Sequence, residues 1–143
     1  MVKPGQIGVA VVGSGRIGTL RAHMASRHPC VRFLAVSDKD PDRANALAKA
    51  VGAQLASGNN RDVIAHPDVD AVIVSTSEHA HAEPLLKAIE LGKPVLVEKP
   101  LALTLPDADR VVAAADRHGV EIRIGYSRRH DRRWMLAKEQ IRE

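Results

Sequence analysis

Aromatic side chains are nearly absent from this chain: Phe33, Tyr126 and Trp134 are all it has. Three scattered rings make no stacking platform for single-stranded nucleic acid. Cysteine is scarcer still. Cys30 stands alone, so no internal disulfide can form, and a reducing cytoplasm is the expected home. Long apolar runs are missing too. The longest, such as residues 9–12 and 71–74, fall far short of a bilayer span and read as buried strands, so no membrane partner is expected. The first five residues, Met1-Val2-Lys3-Pro4-Gly5, lack the apolar stretch of a secretory signal. Positive charge is not spread evenly either. Of the net +4, residues 127–143 carry three, with six Lys/Arg against three acids. An excess that local, without aromatic partners, does not point to nucleic acid.

Apolar residues make up 45% of the 143 positions, enough for one domain with a real core but not comfortably for two. Strand and helix patterns alternate along the chain. Residues 7–12 form a continuous apolar run closed by glycine, which suits a central parallel strand buried on both faces. A helix follows with Ile17, Leu20 and Met24 on one side, and His28-Pro29 ends it. Residues 33–37 read as the second strand. Asp40-Pro41 then opens a helix whose apolar stripe is Ala44, Leu47, Ala48 and Val51, with Gly52 closing it.

A weak strand is expected at 54–56, a short helix at 61–65, a strong strand at 70–75 and a helix at 82–91 with Leu85, Leu86 and Ile89 inward. Another strand is expected at 93–98. Thr104 and Asp107 are spaced as a capping box for a helix carrying Ala108, Val111, Val112 and Ala115. Residues 121–125 form a last strand, and a further helix begins near His130. The alternation predicts a Rossmann-type, doubly wound parallel sheet in a three-layer α/β/α arrangement.

Between the first strand and the first helix lies Gly13-Ser14-Gly15-Arg16-Ile17-Gly18, a G-x-G-x-x-G. Gly13 permits the tight turn, Gly15 lets the backbone approach a pyrophosphate, and Gly18 lets the helix pack close to the strand. The helix N-terminus adds free N–H groups and partial positive charge. Alone, such a loop is also an ordinary strand-to-helix turn. Asp38, twenty residues after Gly18 at the end of the second strand, turns the balance toward a dinucleotide site, because its carboxylate can accept from ribose hydroxyls. Asp38 repels a 2′-phosphate and favours NAD over NADP; Lys39 beside it is able to neutralise such a phosphate and pulls the other way.

The fifth strand ends in Glu98-Lys99-Pro100, at the carboxyl edge where ligands bind in such sheets. Lys99 there either assists a substrate hydroxyl as a proton carrier or is a solvated lysine before a loop proline. His79 and His81, two apart, do not face one way on a helix, and no metal is expected. Cys30 has no partner that would make it a nucleophile and reads as a packed thiol.

Together, Gly13–Gly18, Asp38, the stretch Gly92-Lys93-Pro94-Val95-Leu96-Val97-Glu98-Lys99-Pro100 and Gly125-Tyr126-Ser127-Arg128-Arg129-His130-Asp131 resemble the Gfo/Idh/MocA oxidoreductases over essentially the whole chain. The resemblance implies that Lys99 is the active-site lysine and that Glu98 helps hold its loop. It places Ser75, Thr76, Ser77 and His81 on the segment lining the cofactor, and matches Arg129 to an arginine leading out of the cofactor domain. It also implies a division: residues 1–125 as the dinucleotide-binding domain, and residues 126–143 as the start of the connection to a C-terminal substrate domain absent from this chain. In the family that second domain commonly supplies an aspartate and a histidine four apart. Asp62 and His66 have that spacing but lie on a short helix far from the expected place. His130 stands where an aromatic is usual, and no proline or asparagine occurs at Ser77 or Glu78.

The resemblance thus predicts an NAD-dependent dehydrogenase acting on a secondary alcohol of a cyclitol or sugar. Two other readings stay open for the chain by itself: a dinucleotide-binding module without catalysis, and an interaction role in which an uncovered edge or helix face pairs with another copy.

Overall fold

A computed structural model describes residues 5–142; residues 1–4, which include most of the N-terminal stretch discussed above, and Glu143 lie outside it. Six strands form one parallel sheet: β1 (Ile7–Val12), β2 (Val31–Ser37), β3 (Leu55–Ser57), β4 (Ala71–Val74), β5 (Val95–Val97) and β6 (Ile122–Ile124). Their order across the sheet is β3-β2-β1-β4-β5-β6. β1 is therefore central, and the chain reverses direction across the sheet between β1 and β4. That reversal opens the crevice in which such sheets bind ligands. Register pairs Val12 with Ser37 on one side and Val74 on the other, so three strands end at the same level.

Five α-helices connect the strands, α1 (Arg16–Ser26), α2 (Pro41–Val51), α3 (Asn60–Ala65), α4 (Ala82–Glu90) and α5 (Leu105–His118), and α6 (Arg132–Arg142) follows the last strand. Alternate residues of β1 face opposite layers, as pleating requires. Val9 and Val11 pack with Ala22 and Ala25 of α1 and Leu47 of α2. Ala10 and Val12 pack with Val63 and Ile64 of α3, Leu85 and Ile89 of α4, and Val111 of α5. Each such Val, Leu or Ile contributes about 1.5–3 kcal/mol by leaving water.

The helix ends follow their capping residues. Asp40 accepts from the amides of Asp42 and Arg43, Pro41 takes the first turn, and Gly52 closes α2 in the left-handed conformation. Thr104 accepts from the Asp107 amide and donates to its carboxylate, and Gly119 ends α5. Lys93 closes α3 from outside, donating to the carbonyls of Ile64 (2.6 Å) and His66 (2.9 Å). Burial holds its pKa below the usual lysine range, with Asp70 pulling the other way.

Four expectations fail, apart from shifts of one or two residues in strand limits. α1 does not bury the Ile17–Leu20–Met24 side: Leu20 is 53% and Met24 57% exposed, while Gly18, Ala22 and Ala25 are buried. The helix must start almost in contact with the glycine loop, and only its small residues fit between axis and sheet. Val112 likewise faces solvent, because Val111 and Ala115 already fill the contact of α5. Cys30 is exposed rather than packed, lying in the turn before β2. The last helix begins at Arg132, after a 3-10 turn at Ser127–His130.

Candidate functional site

The loop after β1 is held from both sides by backbone. Gly13 donates to the Ser37 carbonyl and Ser75 donates to the Val12 carbonyl, each at 2.8 Å. Gly13 has φ of +97°, and a Cβ there would sit 2.7 Å from the Ser75 carbonyl oxygen. A Cβ on Gly18 would lie 1.7 Å from the Gly13 carbonyl oxygen, so no side chain fits. At Gly15 the nearest atom to such a Cβ is the Arg43 guanidinium at 3.6 Å, which leaves the outer side of the loop open. The amides of the first turn of α1 have no partner within the helix and face that open side.

Asp38 is buried, and its Oδ2 accepts from the Ser14 amide at 2.8 Å. Its Oδ1 accepts from the Asp40 amide at 3.1 Å. The Ser14 hydroxyl donates to the Ser37 carbonyl, which ties the end of β2 to the glycine loop. Lys39 is exposed beside this carboxylate. The basic group that reaches the loop is a different one, Arg43. It donates to the Ser14 carbonyl at 3.3 Å and stands 3.8 Å from Asp38 Oδ2. Its place one turn into α2, three residues after the Asp40 cap, was the available signal.

A groove of about 590 Å3 runs from the glycine loop across the carboxyl ends of β4 and β5. It gathers Gly15, Arg16, Ile17, Ser75, Thr76, His81, Glu98 and Lys99, which lie far apart in sequence. Ser77, Glu78, His79, Gly125 and Ser127 complete its lining. Arg129 is not on this groove. It lines a neighbouring depression of about 440 Å3 that shares Lys99, with its guanidinium 5.4 Å from the Tyr126 ring centre. Asp131, nearby, has its carboxyl held below the usual range by the Arg133 guanidinium.

Two groups in the groove are committed elsewhere. Glu98 Oε1 accepts from Arg21 Nε at 2.8 Å and from Nη2 at 2.5 Å, joining the end of β5 to α1. A Cβ on Gly125 would press to 3.0 Å of that carboxylate, so glycine makes room for it. His81 is only 1% exposed, with one ring nitrogen on the Pro100 carbonyl and the other on the Thr76 carbonyl. Arg21 was not singled out in the sequence, since nothing in α1 announces a partner 77 residues away. Lys99, by contrast, is exposed at the groove, and its side chain has no hydrogen bond among the described residues.

The residues fit a dinucleotide. The loop has one face closed against any Cβ and the other open, a buried carboxylate stands at one end, and a lysine stands at the other. Between them the Ser75 hydroxyl is buried without a hydrogen-bond partner, a polar atom left over for a ligand. No group of three or more His, Cys, Asp or Glu side chains able to hold a metal occurs among the described residues.

Fold and site together define a nicotinamide-dinucleotide-binding domain of the oxidoreductase type. The chain belongs to the Gfo/Idh/MocA family: residues 7–126 match its model, described as the oxidoreductase family's NAD-binding Rossmann fold. Among its relatives, inositol 2-dehydrogenase 3 of Saccharopolyspora erythraea is 40% identical over 136 residues, 93% of this chain and 40% of that protein. Myo-inositol 2-dehydrogenase of Thermotoga maritima is 33% identical over 133 residues, again 93% of this chain and 40% of that protein. The solved myo-inositol dehydrogenase of Lactobacillus casei, in complex with NAD(H) and myo-inositol, superposes with a TM-score of 0.86 at 29% identity, covering 95% of this chain and 41% of that one. The chain thus spans about two fifths of the length of these relatives. No helix among the described residues is long and apolar enough to cross a membrane.

Proposed function

We propose that this chain is the cofactor-binding part of an NAD-dependent dehydrogenase that oxidises a secondary alcohol of a cyclitol or sugar. The observation that carries it is Lys99, unpartnered at the carboxyl end of β5 and on the same groove as the glycine loop. The relatives named inositol dehydrogenases support the polyol class. Bound there, the nicotinamide would supply the carbon that accepts hydride.

The chain's own residues do the rest. The first-turn amides of α1, with Gly15 and Arg16, hold the pyrophosphate by hydrogen bonds and helix-end charge. Asp38 accepts from the adenosine ribose hydroxyls, and its charge disfavours a 2′-phosphate. The Ser75 hydroxyl supplies a hydrogen bond between those two ends. Lys99 Nζ takes the hydroxyl proton of the substrate as the alcohol is oxidised, and Glu98, locked to Arg21, fixes the strand end from which Lys99 projects. Residues 126–143 begin the connection to a substrate domain, with Arg129 beside Lys99 in the adjoining depression. The protein works in the cytoplasm, where a lone exposed thiol stays reduced.

Calorimetric titration of the chain with NAD and with NADP tests the site. NAD binds more tightly than NADP, and Asp38→Ala weakens NAD about tenfold or more, since hydrogen bonds to a charged group are worth about 1.5–3 kcal/mol. A preference for NADP would overturn the assignment to Asp38 and point to Arg43 and Lys39. A second reading, a dinucleotide module with no turnover of its own, is favoured by the exposure of Lys99, which has no acid–base partner among the described residues. Sustained alcohol oxidation by the chain would rule that reading out.

A further inference from the structure

We infer that His81 is a positioning residue, a latch on the Pro100 carbonyl that sets where Lys99 stands over the groove. The inference rests on the reading of Lys99 given above. His81 stands at the N-terminal end of α4 and is 1% exposed, so its ring exchanges no hydrogen bonds with bulk water. Its Nδ1 lies 2.8 Å from the Pro100 carbonyl oxygen, and its Nε2 lies 3.2 Å from that of Thr76. The ring therefore joins the segment after β4 to the segment after β5, the two walls of the groove.

The chemistry of the partners decides what the ring does. Both are carbonyl oxygens, which only accept, whereas a neutral imidazole has a single N–H. A neutral ring satisfies one of them, and the shorter contact, to Pro100, is where the proton belongs. An imidazolium satisfies both. Either way, Nδ1–H donates to the residue directly after Lys99.

Lys99 needs such a latch because its side chain has no hydrogen bond or ion pair among the described residues. Its position is inherited from its neighbours. Before it, the Glu98 amide donates to the Val74 carbonyl at 2.9 Å, and the Glu98 carboxylate is tied to Arg21. After it, Leu101 packs against the core, and the one hydrogen bond among the described residues before Thr104 is that between Pro100 and His81. With that bond cut, the short stretch between Glu98 and Leu101 is no longer held at its middle, and Lys99 Nζ loses its fixed height above the groove. Angular and distance errors of this kind are costly at a reacting centre.

Two isosteric replacements separate the latch from mere packing. The amide nitrogen of asparagine reaches the place of Nδ1, and that of glutamine reaches the place of Nε2. His81→Asn therefore keeps the bond to Pro100, and His81→Gln keeps only the one to Thr76. The readout is the acylation rate of Lys99 by a small amine-reactive anhydride, which loses a carboxylate, followed by peptide mass spectrometry with and without NAD, beside calorimetric NAD affinity. NAD shields Lys99 in the wild-type chain and in His81→Asn. In His81→Gln the shielding is lost while NAD affinity is largely kept, because Asp38 and the glycine loop hold the other end.

Equal shielding in both variants, or equal loss in both, would overturn the latch. Failure of NAD to shield Lys99 in the wild-type chain would instead remove the reading beneath it, and the latch with it. A measurement on the unaltered protein closes the question from the other side. The 15N-resolved proton spectrum of the His81 ring should show a slowly exchanging proton on Nδ1, and a bare Nδ1 overturns the proposal whatever the variants do.

Discussion

Helices α1 and α6 are both eleven residues long and both carry large apolar side chains, yet they sit in the molecule in opposite ways. α1 lies against the sheet on Gly18, Ala22 and Ala25, and turns Leu20 and Met24 outward. α6 rests on no core at all: residues 132–141 are exposed, with Trp134 at 55% and its ring 5.7 Å from the Arg128 guanidinium. An apolar stripe, then, does not choose its own partner. α1 is fixed by the glycine loop that starts it and by the ion pair from Arg21 to Glu98, and its small residues follow from that closeness. α6 leaves the sheet through a 3-10 turn and meets neither constraint.

Five variants and one double-mutant cycle break or sharpen this contrast. The largest effect is expected from Gly18→Val, whose Cβ would fall 1.7 Å from the Gly13 carbonyl. A loss above about 4 kcal/mol in denaturant unfolding, with NAD binding abolished, is the expected outcome; a stable, NAD-binding variant would show that α1 can start elsewhere. Next comes Ala22→Leu. Overfilling the gap between α1 and β1 costs about 1–3 kcal/mol, read as a shift in the denaturant midpoint at unchanged slope. No loss would mean that the helix slides outward without strain.

Glu98→Gln should cost about 1–2 kcal/mol, since it leaves the part-buried Arg21 with a neutral partner. A double-mutant cycle with Arg21→Met isolates the pair, and a coupling near zero would sever the link between α1 and the Lys99 strand. The smallest effects belong to Leu20→Gln with Met24→Gln, and to Trp134→Ser. Each should stay within about 0.5 kcal/mol, because these side chains already face water. A large loss in either would show that the exposed face is covered in solution.

Much of the fold was legible because its cues are local. Asp40-Pro41, Thr104 with Asp107, and the glycines at 52 and 119 act within a turn of their own residues, and each helix end falls where they predict. Strand limits were less well marked. The fifth strand was expected at 93–98 and pairs only over Val95–Val97, since Lys93 is drawn away to close α3. The face of α1 was misjudged for a related reason: apolar size was weighed, and the space beneath the helix was not knowable. In the site, Gly13–Gly18 and Asp38 were marked by residue type at fixed spacing, and Lys99 by the resemblance that its stretch carries. Arg21 and Arg43 were not, because each matters only through a partner brought near by folding.

By itself the sequence determined the alternation of elements, the parallel sheet and the glycine loop with its acidic companion, all of which rest on periodicity and short-range geometry. The tertiary structure alone decided which face of each helix is buried, which carboxylates are free and which are already paired, and that His81 grips the carbonyl after Lys99. Those outcomes depend on distances between residues remote in the chain, and such distances exist only once the sheet has brought the strand ends together.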